Sequence, residues 1–459
     1  MTPPHGAPAS TTTTDIKGRT TKLTQHLASD STTTYTYTPA SYLASMTDPK
    51  GNKWSYTYDV QGNQLTATDP DKGTSTKTYN ALDLPATVKD ARNKGVSYTY
   101  DALDRVTATA DLAGTTQLTS TAFDPNNGRA VSSTRYIKEP AGTETRAIQA
   151  TIDSYDAAGR PTATTLHVPA IAGLVPAGLA GDYTVTNSYH PTGQVATTGL
   201  PATGPVGAET LTHGYNTRGG DYSLVGASSY VKSSSYTQYG DVAAVNMGSV
   251  TGQSIFLTYD HQQATGRLTT ARTITAAGTV ESTQYTYDPA GNITNAKATL
   301  LSGTVDNQCF TYDAQRQLKA AWTAAATAAC TTTPTQSTLG SGPSPYWSTW
   351  TTDTIGKTSS RTDKTATTTA TTASTYPANS ATAVRPHSVT QTVTTGTGAA
   401  TRAYTYDAAG NTLTRPGPTG STQTLSYDDE GNLTCFSLNV AFRGFDQSTP
   451  GGSGRWLWI

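Results

Sequence analysis

A short polar-aromatic motif recurs along this chain at a fixed spacing. Each copy ends in Tyr-Asp and is followed by a turn that usually contains glycine, as in YTYDVQGNQLTATD from Tyr56. Tyr58, Tyr79 and Tyr100 lie 21 residues apart. A constant period in this range indicates one supersecondary unit used many times, which predicts a repeat architecture. Repeats of this kind stack into extended surfaces, so the motif also bears on function.

Side-chain alternation predicts that each copy is a β-hairpin. In Tyr56-Thr57-Tyr58 the two rings fall on one face of a strand and the threonine falls on the other. Both residue types favour a pleated, half-buried surface. Asp59 then starts a turn, because its side chain bonds backbone amides, and Gly62 supplies the positive φ that a short hairpin loop requires.

The most complete copies share the same positions. Several carry an aliphatic residue six positions after the tyrosine, which would place it beside the ring across the hairpin and contribute up to about 1 kcal/mol. A single hairpin is marginally stable, so neighbouring units must supply the rest. The residues predicted to carry the repeat structurally are Tyr58, Asp59, Gly62, Tyr100, Asp101, Tyr155, Asp156, Gly159, Tyr287, Asp288, Gly291, Tyr406, Asp407, Gly410, Tyr427, Asp428 and Gly431.

Weaker copies fill the intervals between the complete ones. Phe123-Asp124 and Tyr259-Asp260 keep an aromatic residue before a turn, and Thr352 replaces the tyrosine before DTIGK. The steps between copies are longer in the middle of the chain, which predicts longer hairpins or surface loops there.

Composition agrees with a sheet of polar faces. Hydrophobic residues make up 35% of the chain and charged residues only 14%, while the tyrosines number 26. No long amphipathic helical pattern is visible. The predicted fold class is therefore all-β, an array of antiparallel β-hairpins in one elongated body.

Several function classes are not indicated by the sequence. A net charge of −1 and the lack of a basic stripe argue against nucleic acid as a partner. No apolar run approaches the ~18 residues of a membrane span, and the N-terminus lacks the basic start and apolar core of a signal peptide. No serine, histidine and carboxylate stand in a catalytic pattern. We expect no enzyme activity, no metal and no cofactor.

Cysteine is scarce. The three residues are Cys309, Cys330 and Cys435, and an odd count gives no disulfide framework. Cys309 and Cys330 would pair only if their strands were adjacent, so three unrelated thiols is the favoured interpretation.

Domain organisation follows from where the repeat holds. Residues 1–34 form a partial repeat or leader, residues 35–436 form the repeat array, and residues 437–459 form a divergent tail that ends in WLWI. Two Ala/Thr-rich stretches near 323–338 and 365–375 have almost no charge. Such composition predicts extended loops or disordered insertions.

The Y-T-Y-D-x-x-G-N/R-x-T unit at a step near 21 closely resembles the YD repeat of RHS-repeat proteins. That family includes bacterial RHS polymorphic toxins, wall-associated proteins, the B and C subunits of insecticidal toxin complexes, and the YD shell of teneurins. The resemblance covers about residues 35–436. It implies a strip of β-sheet that spirals into a hollow or partial shell, often around a C-terminal toxin.

Shells of that family are usually completed by an RHS-associated core, with an Asp-Pro-containing self-cleavage motif, and a variable toxin. This sequence has neither, because its Asp-Pro pairs lie in ordinary repeat turns. No autoproteolytic residue is carried over. We therefore expect the chain to be an internal piece of a larger protein or a truncated product.

The resemblance implies a structural, non-enzymatic scaffold: the shell wall of an RHS-type toxin-delivery or cell-surface protein, secreted or surface-located within a larger protein. Its implied partners are another RHS-repeat chain or an encapsulated toxin. The alternative is a cell-surface adhesion array whose tyrosines bind surface carbohydrate. An enzyme hidden in residues 123–260 is a third interpretation, which the lack of a nucleophile-base pair there disfavours.

An open strip ends in strands whose N–H and C=O groups are unpaired, and low charge weakens the usual protection of such edges. We expect the isolated chain not to close a shell by itself. It should self-associate or need a partner chain that continues the spiral.

Overall fold

The chain is built almost entirely of β-strands joined by short turns. The computed structural model describes residues 8–138, 145–171, 175, 178–248, 253–331, 333–340, 342–343, 345–417 and 421–438. Within these residues there is one 3-10 turn, Gln336–Thr338, and no α-helix. The predicted all-β fold class is confirmed. The C-terminal WLWI lies outside the described residues.

The strands of the first half are β1 (Ser10–Thr14), β2 (Thr20–Gln25), β3 (Ser31–Tyr37), β4 (Leu43–Thr47), β5 (Lys53–Tyr58), β6 (Gln64–Asp69), β7 (Gly73–Tyr79), β8 (Pro85–Lys89), β9 (Gly95–Tyr100), β10 (Val106–Asp111), β11 (Gln117–Phe123), β12 (Ala130–Lys138), β13 (Thr145–Tyr155), β14 (Pro161–Val168), β15 (Gly181–Tyr189), β16 (Val195–Leu200), β17 (Glu209–Tyr215) and β18 (Asp221–Val225).

The strands of the second half are β19 (Ser229–Tyr236), β20 (Val242–Gly248), β21 (Ser254–His261), β22 (Leu268–Thr275), β23 (Gly278–Tyr287), β24 (Ile293–Leu300), β25 (Val305–Tyr312), β26 (Leu318–Ala324), β27 (Trp347–Thr352), β28 (Thr358–Lys364), β29 (Thr369–Thr375), β30 (Gln391–Gly396), β31 (Ala400–Ala403), β32 (Thr405–Tyr406), β33 (Thr412–Pro416), β34 (Thr422–Tyr427) and β35 (Leu433–Leu438).

These strands form a meander in which each strand except β31 pairs antiparallel with the next along the chain. Among the described residues β1 to β31 make one sheet and β32 to β35 make a second, with Tyr404 separating β31 from β32. The result is a long strip with two rims. We call the rim of turns that follow the tyrosine strands the tyrosine rim; it includes residues 15–19, 59–63, 80–84, 101–105, 353–357, 407–411 and 428–432. The other turns, such as 48–52, 69–73 and 90–94, form the opposite rim.

The strip curls so far that turns late in the sequence contact turns near its start. His387 contacts Asp71 and Asp48, which lie 316 and 339 positions earlier in the sequence. One winding therefore takes a little over 300 residues. The spiral is open, and the strip or partial shell expected from the repeat is confirmed.

Among the described residues, most of the buried hydrophobic side chains lie in one place, with Ile171 and Leu425 apart from it. Trp322 is 1% exposed and packs with Cys309, Ala320 and Ala324, and Trp347 covers the cluster from the next strand. Cys309 faces Trp322 across the β25–β26 pair. This patch anchors the long connection between β26 and β27.

A disulfide joins Cys309 to Cys330, with 5.3 Å between the Cα atoms, so the expectation of three unrelated thiols is wrong for this pair. Cys435 is free. Sequence spacing could not show the pairing, because Cys330 lies on a loop that folds back over β25 instead of on an adjacent strand. Asn307, also buried, helps to hold this loop by donating its Nδ2 protons to the carbonyl oxygens of Ala325 and Ala328.

Of the two Ala/Thr-rich segments, 323–338 lies largely in the irregular connection between β26 and β27, whereas 365–375 differs from expectation. Residues 369–375 form the regular strand β29, whose threonine hydroxyls bond neighbouring strands, as between Thr372 and Thr394 at 2.9 Å. Thr323 is fully buried at the end of β26. Threonine favours strands even when charge is lacking, and this preference decides the outcome here. The array also begins before residue 35, because β1 and β2 already belong to the sheet.

Breaking the disulfide should release the β26–β27 connection. Cys309 and Cys330 are 21 residues apart, and closing a loop of that size stabilises by about 2–4 kcal/mol. We expect the double substitution Cys309→Ala/Cys330→Ala to lower the thermal midpoint and to expose the loop to proteolysis. Cys435→Ala is the matched control and should do neither. Equal proteolysis of both variants would contradict the anchoring role.

Candidate functional site

The Tyr-Asp turn is held by its aspartate. The Asp59 Oδ1 atom accepts the backbone N–H of Asn63 at 2.8 Å, and Oδ2 accepts the Asn63 side-chain amide at 3.0 Å. The backbone N–H of Gly62, whose φ is 97°, donates to the Asp59 carbonyl. One carboxylate thus satisfies the amides of the turn. Closely similar bonds occur at Asp101, Asp156, Asp288, Asp407 and Asp428.

These bonds favour the ionised carboxylate. The side chain of Arg105 donates to Asp101 at 2.8 Å and holds the pKa of that carboxyl below its usual value. Bonds from the backbone and side chain of Arg160 do the same for the pKa of Asp156. On the opposite rim, the Thr115 hydroxyl and backbone bonds lower the pKa of Asp111 to about 2.

The residue after the glycine position was part of the motif, but its role was not evident from the sequence. When it is arginine, it also reaches the next unit. The Arg105 guanidinium lies 3.9 Å from the centre of the Phe123 ring and donates to the Gly128 carbonyl. Arg19 and Arg160 likewise cover the rings of Tyr37 and Tyr189. Cation–π contacts of this kind each contribute about 0.5–1 kcal/mol where they are exposed.

The tyrosine hydroxyl joins each unit to the one before it. Tyr58 donates to the Leu43 carbonyl at 3.0 Å, and Leu43 is the residue that faces Tyr37 across the preceding hairpin. Tyr79 in turn bonds the carbonyl of Gln64, which faces Tyr58. The same relation gives a hydroxyl ladder that includes Tyr100, Tyr189, Tyr215, Tyr236, Tyr287, Tyr312, Tyr376, Tyr406 and Tyr427.

The other face of the hairpin carries the intervening threonine. Thr57 bonds Thr66 at 2.7 Å, and Thr78 bonds Thr87 at the same distance. The ring face and the hydroxyl face of one strand therefore both make specific polar contacts. This explains the alternation of tyrosine and threonine in the motif.

Divergent units alter the ladder in identifiable ways. The turn assigned to Tyr259-Asp260 opens two residues later, at Gln262, because His261 takes the tyrosine position and faces Leu268. Phe123 lacks a hydroxyl, and its ring is instead covered by an arginine. Sequence pattern alone favoured the nearer tyrosine, and only strand register distinguishes the two positions.

A second set of contacts, which we call the seam, joins the two windings. The tyrosine rim of the second winding rests on the opposite rim of the first. The His387 Nδ1 atom lies 2.6 Å from the Asp71 carboxylate, and its Nε2 atom lies 3.3 Å from that of Asp48. The His387 ring also stacks on Trp54 at 5.7 Å. The loop that carries His387 is further fixed by the Arg385 N–H, which donates to the Pro70 carbonyl.

Buried amides and ion pairs extend the seam. Asn52 is fully buried and donates to Asn379 at 3.1 Å. Further along, Lys94 pairs with Asp429 at 3.1 Å, and Arg135 pairs with Asp428 and Glu430. The first winding contributes the cations of these ion pairs and the second contributes the carboxylates.

The signature glycine Gly410 lies directly on the seam. Its φ is 83°, and an added Cβ would lie 2.8 Å from the Asp71 carbonyl oxygen. Gly431 has nearly the same φ but more room. Carboxylates of the rims and the seam, such as Asp59, Asp101, Asp71 and Asp429, bond amides, a guanidinium group, an imidazole and an ammonium group, an arrangement suited to a structural role.

No helix in the described part of the chain is long and apolar enough to cross a membrane.

Comparisons with known proteins agree with the geometry. The model of the RHS Repeat family matches residues 43–74 and 79–116, which include three of the turns on the tyrosine rim. No curated protein sequence matches the chain.

Solved structures share the fold along almost the whole chain. The TcdB2-TccC3 crystal structure matches with a TM-score of 0.65 and 14% identity, over 92% of this chain and 24% of that one. A Tc holotoxin pore from Photorhabdus luminescens matches with a TM-score of 0.67 and 14% identity, over 96% of this chain and 22% of that one. The chain thus spans about a quarter of the length of these relatives, and at this identity the likeness concerns the fold.

Removing one ladder hydroxyl should weaken the link between units. Tyr100→Phe loses the bond of 2.7 Å to the Pro85 carbonyl and leaves that acceptor without its donor, a cost of about 1 kcal/mol. Tyr98→Phe on the same strand is the control, since no hydrogen bond of its hydroxyl is found within the described residues. Hydrogen exchange of β8 and β9 should accelerate only in the first variant. Equal exchange in both variants would argue against the ladder.

Substitution of the seam glycine should cost more than substitution of its neighbour in the repeat. Gly410→Ala and Gly431→Ala both strain a positive φ, by about 1 kcal/mol or more. Gly410→Ala also forces a contact with the Asp71 carbonyl, so we expect the larger fall in thermal midpoint for this variant. Identical midpoints would show that the windings do not touch there.

Acid should destabilise the turns. Asp101, Asp111 and Asp156 have lowered pKa values in the folded chain, so the stability they add is present above the unfolded value of about 4. It is lost as the pH falls from about 4 towards about 2. Thermal melting recorded across this window should show a falling midpoint, with a smaller fall in Asp101→Asn. A midpoint independent of pH in this range would contradict the role of these carboxylates.

Repeat period, turn chemistry and strand topology lead to one assignment, and the family model and the solved shells agree with it. RHS repeats therefore lie at residues 43–74 and 79–116, and the same fold extends along almost the whole chain.

Proposed function

We propose that the chain is a length of shell wall in an RHS-type toxin-delivery or cell-surface protein. One observation carries this proposal: the strip winds past a full turn and seats its second winding on its first. A sheet that bonds to itself along its rims encloses space. In a flat array, distant turns would not meet, so Asn52 would not be buried and His387 would not contact Asp71 and Asp48.

The wall role accounts for what the side chains do. Tyrosines and the arginines that follow the turns bond neighbouring units, and the turn aspartates bond within their own turns, so these side chains have structural roles. We therefore propose a non-enzymatic scaffold that needs no cofactor. Its partners would be another RHS-repeat chain or an enclosed toxin, as in complexes such as TcdB2-TccC3, where two named components occur together.

Secretion or display at the cell surface fits the same proposal. The disulfide between Cys309 and Cys330 is supporting evidence, because structural disulfides persist mainly in oxidising compartments. The chain would act there as part of a larger assembly, since it spans only about a quarter of the shell chains it resembles.

A surface array that binds carbohydrate is the second candidate. Stacking on sugars requires open aromatic faces. The ladder tyrosines Tyr58 and Tyr100 are half-buried and their hydroxyls bond backbone carbonyls, so we place this candidate second. Binding of the isolated chain to a glycan array would favour it.

Gene context and co-purification test the wall role. We expect further YD repeats, in the same or a neighbouring reading frame, whose product co-purifies with this chain and closes a hollow particle visible by electron microscopy. Gly410→Val should reduce closure by opening the seam, and Gly431→Ala is the milder control. A neighbouring repeat product that never associates with this chain would overturn the proposal.

A further inference from the structure

The two rims are covered unevenly. On the tyrosine rim, the second residue after the turn aspartate or asparagine differs between the windings. In the second winding it is Glu430, whose side chain is 23% exposed and pairs with Arg135. The same position in the first winding is Leu82 or Leu103, which are 66% and 69% exposed. Ile16 and Val60, one position earlier in their own turns, are almost fully exposed. Equivalent positions are thus covered in one winding and bare in the other.

The opposite rim shows the complementary pattern. Its covered stretch includes 90–94 and extends to Arg135, where the last described turn of the second winding lies. Beyond that point no contact with the second winding is found among the described residues, so we call this part of the rim bare; its Leu179, Val206 and Leu301 are 48% to 65% exposed. The covered stretch contacts the second winding through ion pairs, whereas both bare stretches expose aliphatic side chains at the ends of their turns, which we call tips.

We propose that these two bare stretches bind each other between copies of this chain. The tyrosine rim of one copy, at Ile16, Val60, Leu82 and Leu103, would rest on the opposite rim of the next copy at Leu179 and Val206. The contact repeats within the spiral the rim-on-rim packing that the seam already shows. It rests on the proposed wall function and adds a definite partner, a second copy placed head to tail.

The placement also follows the path of the spiral. A copy that continues the spiral past the turn 428–432 brings its first turns over the part of the opposite rim that follows Arg135. Such a heterologous contact does not close on itself, so it yields a series of oligomers rather than one dimer.

The strength of this contact should come from aliphatic burial. Carboxylates placed at these tips would be desolvated, and they would face Asp182 and Glu209, which flank Leu179 and Val206 in the sequence. Because the tips are exposed in the single chain, substitutions there should leave its folding intact.

Sedimentation velocity over a wide range of concentration tests the proposal. We expect the wild-type chain to associate in steps and Leu82→Glu/Leu103→Glu to raise the dissociation constant by a factor on the order of a hundred or more. Leu166→Glu/Phe256→Glu adds the same charge at strand positions that are 41% and 42% exposed, and it should associate like the wild type. Circular dichroism melting would confirm that both variants fold.

Two results would overturn the inference. A wild-type chain that stays monomeric at every concentration would show that the rims do not bind each other, while closure with a neighbouring repeat chain would still support the wall role. Association that the rim variant does not weaken would assign it to another surface, such as the terminal strands. Loss of association in both variants would point to general charge repulsion and would equally remove the support for the rims.

Discussion

The hydrogen bond from a tyrosine hydroxyl to the backbone of the preceding unit is the interaction on which the rest of the structure depends. Strand pairing alone fixes neighbours but leaves a sheet free to twist. The hydroxyl of Tyr79 reaches a carbonyl, at Gln64, whose own position is set by Tyr58. Each unit therefore fixes the geometry of the next, and a regular curvature can follow from a regular sequence.

These hydrogen bonds between units stabilise a long sheet that has little hydrophobic core. Apart from the patch around Trp322, the described strands bury few apolar side chains completely. Turn carboxylates, threonine pairs and guanidinium groups over rings take the place of that core along the strip. Each of these contacts contributes little free energy of folding. Their sum over many repeats stabilises the strip, as expected of arrays in which each repeat contacts only its neighbours.

The sequence was most informative where the physics is local. Alternation of tyrosine and threonine predicts the strands, and Asp59 with Gly62 predicts the turn, because both depend only on nearby residues. Val106 faces Tyr100 in the structure, six positions later, as the motif predicts. The local pattern gives the wrong position where strand register decides, as at His261, which takes the place that the pattern assigns to Tyr259.

Contacts between residues far apart in the sequence could not be predicted from the repeat pattern. Cys309 and Cys330 pair because a loop returns over the sheet, and the return direction has no local signal. Likewise His387 showed no pattern that would connect it to Asp71. Its surrounding residues lie between β29 and β30 and contribute to the seam, a role that the sequence pattern did not indicate.

The seam also limits how such a chain can change in length. Asp71 meets His387 only if the number of residues between them corresponds to one full winding. Gain or loss of a single 21-residue unit in that interval would shift every later turn along the opposite rim, so that Lys94 and Arg135 would face the wrong partners. Units can be exchanged freely, but their number within a winding is fixed by the circumference of the shell.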